Sequence, residues 1–342
     1  MMFNLKVLVT GGAGYVGSVL IPELIKAGHF VYCLDRFFFG KEFLSSSSFK
    51  NSIELIQDDI RWFNPEILKN IDVVMDLAAL SNDPVGDLDP TKTYEINFEG
   101  RVRVAKLSKA AGVSQYILAS SASVYGQQEN IANEDSIVSP LTAYSKANRE
   151  AELNVLPLNN NDFSVTVLRF SSIYGISPRM RFDLAVNGMV LDYFKNKKIT
   201  IFGGNNKRPF LHINDAVQAY LLLLNSSKSK INGQIFNVGS DEQNYQISDL
   251  AKEVGNALDP NCTLDIKNSP DNRSYFASSE KIRNILNFKP KYNVGDTSKE
   301  MLSALNNNKL DYSDKTITVK WYNHIKNNED LLQACLLNDK FL

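Results

Sequence analysis

The sequence predicts a doubly wound α/β fold, a parallel sheet wrapped by helices, with a smaller lobe built by the C-terminal part of the chain. Three observations carry this. Short apolar runs rich in β-branched residues alternate with helix-length amphipathic stretches from Leu5 to Phe170, and such alternation builds parallel sheets through right-handed crossovers. The first run, Leu5 to Val9, is followed by Gly11, Gly14 and Gly17 at three-residue spacing, and a helical pattern begins at once. After Gly175 the alternation breaks down and shorter strands mix with helices. Residues 1–175 are therefore assigned to the sheet domain, a segment near 205–240 returns to it, and residues 176–342 mainly form the smaller lobe.

The glycines have separate physical roles. Gly11 permits the tight strand-to-helix turn, Gly14 allows backbone to approach a pyrophosphate, and Gly17 allows close packing of helix on strand. Tyr15 and Val16 lie between them at a helix N-terminus, where free N–H groups and the positive end of the dipole suit phosphate. Val31-Tyr-Cys-Leu-Asp35 is a second strand that ends in an acid, 18 residues beyond Gly17. That is the place of a ribose-binding carboxylate in a Rossmann-type dinucleotide site. A carboxylate pairs with a ribose 2′-OH and repels a 2′-phosphate, so Asp35 favours NAD over NADP, with neighbouring Arg36 as a partial offset.

The remaining elements follow in order. Residues 15–28 read as an amphipathic helix closed by Gly28. Phe37-Phe-Phe-Gly40 and Ser45 to Ser48 form a loop in which the phenylalanines serve packing. Ile53 to Ile56 is a third strand, followed by Asp59 and Ile60, which serve either as an adenine contact or as a loop cap. Val73 to Ala79 is a fourth, ending in Leu77, Ala78 and Ala79, small enough for a cofactor to lie against backbone, with Ser81 just beyond. Pro90 to Gly112 is a long helix that carries Asn97, and Tyr116 to Ala119 is a strand running into Ser120-Ser-Ala-Ser-Val-Tyr-Gly126. Leu141 to Leu156 is a helix and Val165 to Phe170 the sixth strand. Beyond Gly175, strands are expected around Thr200-Ile-Phe and at Gln234 to Val238. Helices are expected near 182–195, 215–226 and 248–258, then a surface-looking part and a final helix near 317–337.

Composition narrows the function classes. Lys and Arg number 37 against 38 Asp and Glu, a formal charge of −1, so no basic field is available for nucleic acid or an anionic membrane surface. No apolar run approaches the ~18 residues of a membrane span. Cys33, Cys262 and Cys335 are distant from one another, odd in number and without metal spacing, which suggests a reduced, cytoplasmic protein with no metal site.

Taken jointly, the motifs Gly11-x-x-Gly14-x-x-Gly17, Asp35, Asp59-Ile60, Leu77-Ala-Ala79, Asn97-x-x-Gly100, Ser120-Ser-x-x-Val-Tyr-Gly126, Pro140-x-Thr-x-Tyr144, Arg208-x-Phe-x-His212-x-x-Asp215 and Arg273 resemble the extended short-chain dehydrogenase/reductase family. Within it they resemble the NAD-dependent sugar-nucleotide epimerases and dehydratases, over Val7 to about Tyr275. The resemblance implies a tightly held NAD that takes a hydride from a sugar ring carbon and often returns it. It casts Tyr144 as base, Ser121 as the hydroxyl that orients the same oxygen, and Ser123, Ser81 and Ser172 as lining the sugar pocket. Arg208 and Arg273 match the pair that grips a substrate diphosphate, a task suited to the guanidinium fork. His212 reads as a buried structural histidine. Family members commonly form homodimers through the helices here near 91–111 and 142–156, with Ile96, Val102 and Leu107 apolar; those positions could equally pack inward.

Departures from the family matter as much. Four residues after Tyr144, where the family places a lysine that binds the nicotinamide ribose and lowers the phenol's pKa, stands Asn148. Lys146 is two residues off and turns to the far side of the helix. An alternative register would place Thr142 in the tyrosine's role, but it loses the proline spacing and offers a weak base. The Asp-Glu pair of the family's 4,6-dehydratases is replaced by Ala122 and Ser123, which disfavours that elimination. The expectation is a sugar-nucleotide epimerase or related oxidoreductase acting on a ring hydroxyl through a ketone. Alternatives are a net dehydrogenase or reductase that releases a keto sugar, and a weakly catalytic binding module.

Overall fold

A computed structural model of the protein describes residues 4–269 and 271–342. Twelve strands occur among these residues: β1 (Lys6–Thr10), β2 (Phe30–Asp35), β3 (Ile53–Gln57), β4 (Val73–Asp76), β5 (Gln115–Ser121), β6 (Ser164–Phe170), β7 (Ser172–Tyr174), β8 (Lys198–Phe202), β9 (Lys207–His212), β10 (Gln234–Val238), β11 (Asn244–Gln246) and β12 (Thr263–Lys267). Seven form one sheet in the order β10-β6-β5-β4-β1-β2-β3, and every pairing in it is parallel. The strand order reverses between β1 and β4, which leaves a crevice at their carboxyl ends.

Alternation along the strands sends successive side chains to opposite faces. Val7, Val9, Val31 and Cys33 pack with Leu20, Ile21 and Leu24 of the helix Gly17–Lys26 and with Val217 and Leu223 of the helix Ile213–Leu224. Leu8, Leu34, Val74 and Tyr116 face the other way, onto Val104 and Ala105 of the helix Arg101–Ala110 and Ala151 and Val155 of the helix Ala143–Val155. Full burial of each large aliphatic side chain contributes about 1.5–3 kcal/mol. A third core lies apart from the sheet, where Val186 and Val190 of Ala185–Asn196, Leu250 and Val254 of Ile247–Leu258, and Met301 and Leu305 of Val294–Asn306 converge.

Several expectations from sequence need correction. The long helix from Pro90 is not uniform: Pro90–Tyr94 is α-helical, Glu95–Gly100 is a wider π turn, and α-helix resumes at Arg101. The C-terminal helix is two, Thr318–Lys326 and Glu329–Cys335, divided at Asn327-Asn328, where the Asn328 side chain caps the second. The stretch that looked like surface contains the helix Val294–Asn306, whose Val294, Met301 and Leu305 are fully buried. Ile96, Val102 and Leu107 pack on the protein's own core rather than outward.

Candidate functional site

A cavity of about 920 Å³ opens at the carboxyl ends of the central strands, a size suited to a small-molecule site. One end is the glycine turn. Gly11 has φ +67°, and a Cβ there would lie 2.8 Å from the Ala78 backbone, so no side chain fits. A Cβ on Gly14 would meet the Gly11 carbonyl at 3.0 Å, and one on Gly17 would strike Gly12. The backbone N–H groups of Tyr15 and Val16 find no acceptor among the described residues, and both residues line the cavity with Gly11, Gly14 and Gly17. These are open donors at a helix N-terminus, as a pyrophosphate requires.

Asp35 ends β2 beside this turn. Its carboxylate accepts from Ala13 N at 3.0 Å and Phe37 N at 2.7 Å, which fixes it against the loop, while burial pushes its pKa up. Arg36 does not approach it as an anion receptor: its guanidinium donates to Asp59 at 2.8 Å and to the carbonyls of Cys335 and Lys340 at 2.9 Å. Asp59 is engaged likewise. Both oxygens are taken by Arg36 and Arg61, and these contacts hold its pKa low against the opposing effect of burial. The Asp59 carboxylate is thus engaged in local ion pairs, while Asp59 and Ile60 both line the cavity. Leu77, Ala78, Ala79, Ile60, Ser81 and Ser120 line the cavity, but the Ser120 hydroxyl is turned to Glu152 at 2.6 Å. Asn97 does not line it. Fully buried, it exchanges two hydrogen bonds with the Leu80 backbone, at 2.8 and 3.0 Å, and so pins the loop after β4.

The chemistry-bearing end gathers Ser121, Ser123, Tyr144, Asn148 and Ser172. The Ser121 hydroxyl accepts from Ser123 N at 3.1 Å. The Ser123 hydroxyl is buried without a partner, an uncompensated polar atom in a cavity wall. Tyr144 occupies the first turn of the helix Ala143–Val155, packed on Gly86, and its hydroxyl has no hydrogen bond among the described residues. Thr142 is the N-cap: its hydroxyl accepts from Ser145 N at 3.1 Å and contacts Asp83. The alternative register therefore puts its base in a helix cap. Lys146 is exposed.

Arg208 and Arg273 line the same cavity, and both contact Asp271, at 3.0 and 2.6 Å; Arg273 also grips Asp83. An incoming anion would displace these carboxylates rather than find bare cations. His212 is 3% exposed, stacks on Tyr292 and accepts from Asn214 N, capping its helix. Burial brings its pKa down to about 4. Sequence reasoning did not single out Arg101, Asp83 or Asp271, and it read Phe38 and Phe39 as loop packing without Tyr322 and Phe341, which complete with them a cavity rim of rings packed edge to face. An arginine between Gly100 and Val102 on an apolar stripe was a visible signal for Arg101; the rim joins segments some 300 residues apart and had none.

A doubly wound sheet with an open glycine turn, a carboxylate at the end of β2 and a polar cavity between them defines a dinucleotide-dependent oxidoreductase-type protein. The chain matches the NAD dependent epimerase/dehydratase family over residues 7–239, and it belongs to that family. It is 29% identical over 316 residues to the UDP-glucose 4-epimerase of Lactobacillus helveticus, covering 85% of this chain and 94% of that one. It is 28% identical to UDP-glucuronic acid decarboxylase 1 of Arabidopsis thaliana, covering 89% and 70%. The fold matches UDP-glucuronic acid 4-epimerase from Bacillus cereus, solved with UDP-glucuronic acid and NAD, with a TM-score of 0.79 at 24% identity over 89% of this chain and 99% of that one. The residues of the glycine turn and Asp35 fit a dinucleotide such as the NAD bound in the Bacillus cereus structure: open amides, no room for Cβ atoms and a fixed carboxylate.

Proposed function

We propose that the protein is a sugar-nucleotide epimerase that inverts a ring carbon through a keto intermediate, on a nucleoside diphosphate sugar. The observation that carries this is that one cavity is lined by the glycine turn and Asp35, by Tyr144 and Ser121, and by Arg208 and Arg273. NAD, when bound, supplies a reversible hydride acceptor. The amides of Tyr15 and Val16 would hold its pyrophosphate and Asp35 would accept from its ribose hydroxyls. Tyr144 takes the proton of the substrate hydroxyl, and Ser121 and Ser123 hydrogen-bond the sugar. Arg208 and Arg273 exchange Asp271 and Asp83 for the diphosphate, a charge-assisted and bidentate recognition. With Ala122 and Ser123 where a dehydratase would need an acid and a base, this chain lacks the pair that would eliminate water.

The named relatives act on or bind UDP-sugars, which makes UDP-glucose and UDP-glucuronic acid the first substrates to try. The test is NAD content of the purified protein, then NMR of each UDP-sugar after incubation. Appearance of the 4-epimer without added cofactor supports the reading; NADH accumulating with a keto product would replace it by net oxidation. Absence of both bound dinucleotide and product would overturn it. A cytoplasmic homodimer completes the proposal. The three cysteines are free, and Leu153 is an exposed apolar residue on the helix Ala143–Val155; light scattering tests the dimer.

A further inference from the structure

A phenol titrates near ~10, so a tyrosine base working at neutral pH needs a donor or positive charge fixed close to it. The cations around the cavity are mostly cancelled. Arg169 is held by Glu152 at 2.8 Å and Arg181 by Asp183 at 2.6 Å, and Arg208 and Arg273 share Asp271.

Arg101 is arranged differently. It is 1% exposed, in the first turn after the π segment. Its Nη1 donates to Asn148 Oδ1 at 2.9 Å, and its Nη2 donates to the carbonyls of Asp76 and Ala119. Its Nε reaches the Asp76 carboxylate only at 3.4 Å. Asp76 is itself held by the hydroxyls of Thr10 and Tyr116. The pair is thus a buried dipole, with its positive end on Asn148 and its negative end on Thr10 and Tyr116. Arg101 is linked to Tyr144 through Asn148, which bonds both the guanidinium and the Tyr144 carbonyl, and Asn148, Tyr144 and Tyr220 line the same cavity.

Arginine can only donate, which decides the amide's orientation: Asn148 Oδ1 must face Arg101 and Nδ2 must point away. One Nδ2 hydrogen goes to Tyr144 O at 2.9 Å. The second has no acceptor among the described residues, on a side chain that lines the cavity.

We propose that Arg101 is a positioning residue: it locks Asn148 with its nitrogen toward the cavity, so that a neutral amide backed by a buried guanidinium supplies donor and positive field beside Tyr144 and the nicotinamide ribose. This rests on the reading of Tyr144 as base and of the cavity as the NAD site. The positive end of that dipole favours the neutral dihydronicotinamide ring of NADH over the cationic ring of NAD⁺ in binding, which gives a readout independent of turnover.

Three variants test it. Asn148→Asp can pair directly with Arg101, so it should fold with an unchanged or higher Tm, yet it removes the donor and cancels the field. Its preference for NADH over NAD⁺ should fall about tenfold, the effect of one charge at intermediate range, and kcat should drop at least as much with KM little changed. Asn148→Lys places two cations together in a buried site and should lower both Tm and turnover. Arg101→Met combined with Asn148→Lys should recover both. Unchanged NADH preference in Asn148→Asp, or a double variant no better than Asn148→Lys alone, overturns the proposal. If wild type turns over no nucleotide sugar, the epimerase reading fails, and the affinity ratio still decides the role of Arg101.

Discussion

Replacing Tyr144 by phenylalanine isolates one oxygen. The Tyr144 hydroxyl makes no hydrogen bond among the described residues, and the ring's position is set by the helix Ala143–Val155 and its contact with Gly86. Tyr144→Phe should therefore change stability by no more than about 0.5 kcal/mol, as for a substitution that breaks no partner. Loss of a general base costs about 10²–10⁴ in rate, or roughly 3–5 kcal/mol of transition-state stabilisation. The assay is kcat for interconversion of the UDP-sugar, with NAD content and urea midpoint measured on the same sample. Thr142→Val is the control. It removes the hydroxyl that caps the helix and contacts Asp83, so it should cost about 1 kcal/mol of stability with kcat within a few-fold of wild type. Tyr144→Phe with near-normal kcat, alongside an inactive but folded Thr142→Val, would refute the assignment and restore the other register.

Three further outcomes are expected. Glu152→Gln strands Arg169, which donates two hydrogen bonds to the Glu152 carboxylate at 2.8 and 2.9 Å in a fully buried pair, and should destabilise by about 3–5 kcal/mol in urea unfolding. His212 has a folded pKa of about 4 against ~6.5 when unfolded, so between those values the unfolded chain binds the extra proton. Stability should be fully present above pH ~6.5 and decline by at most about 3 kcal/mol as pH falls to 4. His212→Asn, which keeps a helix-capping acceptor, should remove that component of the urea midpoint's slope. Arg273→Met should raise KM for the nucleotide sugar about tenfold to a hundredfold, the worth of a charge-assisted contact, while NAD content stays unchanged; an unaltered KM would remove Arg273 from substrate binding.

Asn148→Lys shows how tertiary contacts change an expectation. In the sequence it restores a missing cation near Tyr144 and should lower the pH optimum. In the fold it sets an ammonium against Arg101, 47 residues away in the chain and hydrogen-bonded to Asn148, so destabilisation is the expected result. Asn97 and Ser120 changed in the same manner, each committed to a protein partner that no local pattern announces.

What the sequence determined by itself is the local and periodic part. Strand and helix alternation predicts the parallel sheet, because side-chain period follows burial. The glycine spacing predicts the turn, because a Cβ at Gly11 or Gly17 has nowhere to go. Asp35 and Tyr144 were legible because each sits at a fixed offset from a strand end or a helix start. Only the tertiary structure decided where the charges go. Arg36, Arg101, Arg208 and Arg273 look alike in sequence, yet one closes on the C-terminal segment, one orients Asn148, and two are countered by Asp271. A long flexible side chain takes its role from whichever partner the fold buries with it, and those partners range from a neighbour two residues away, as Asp271 is to Arg273, to segments over 300 residues away.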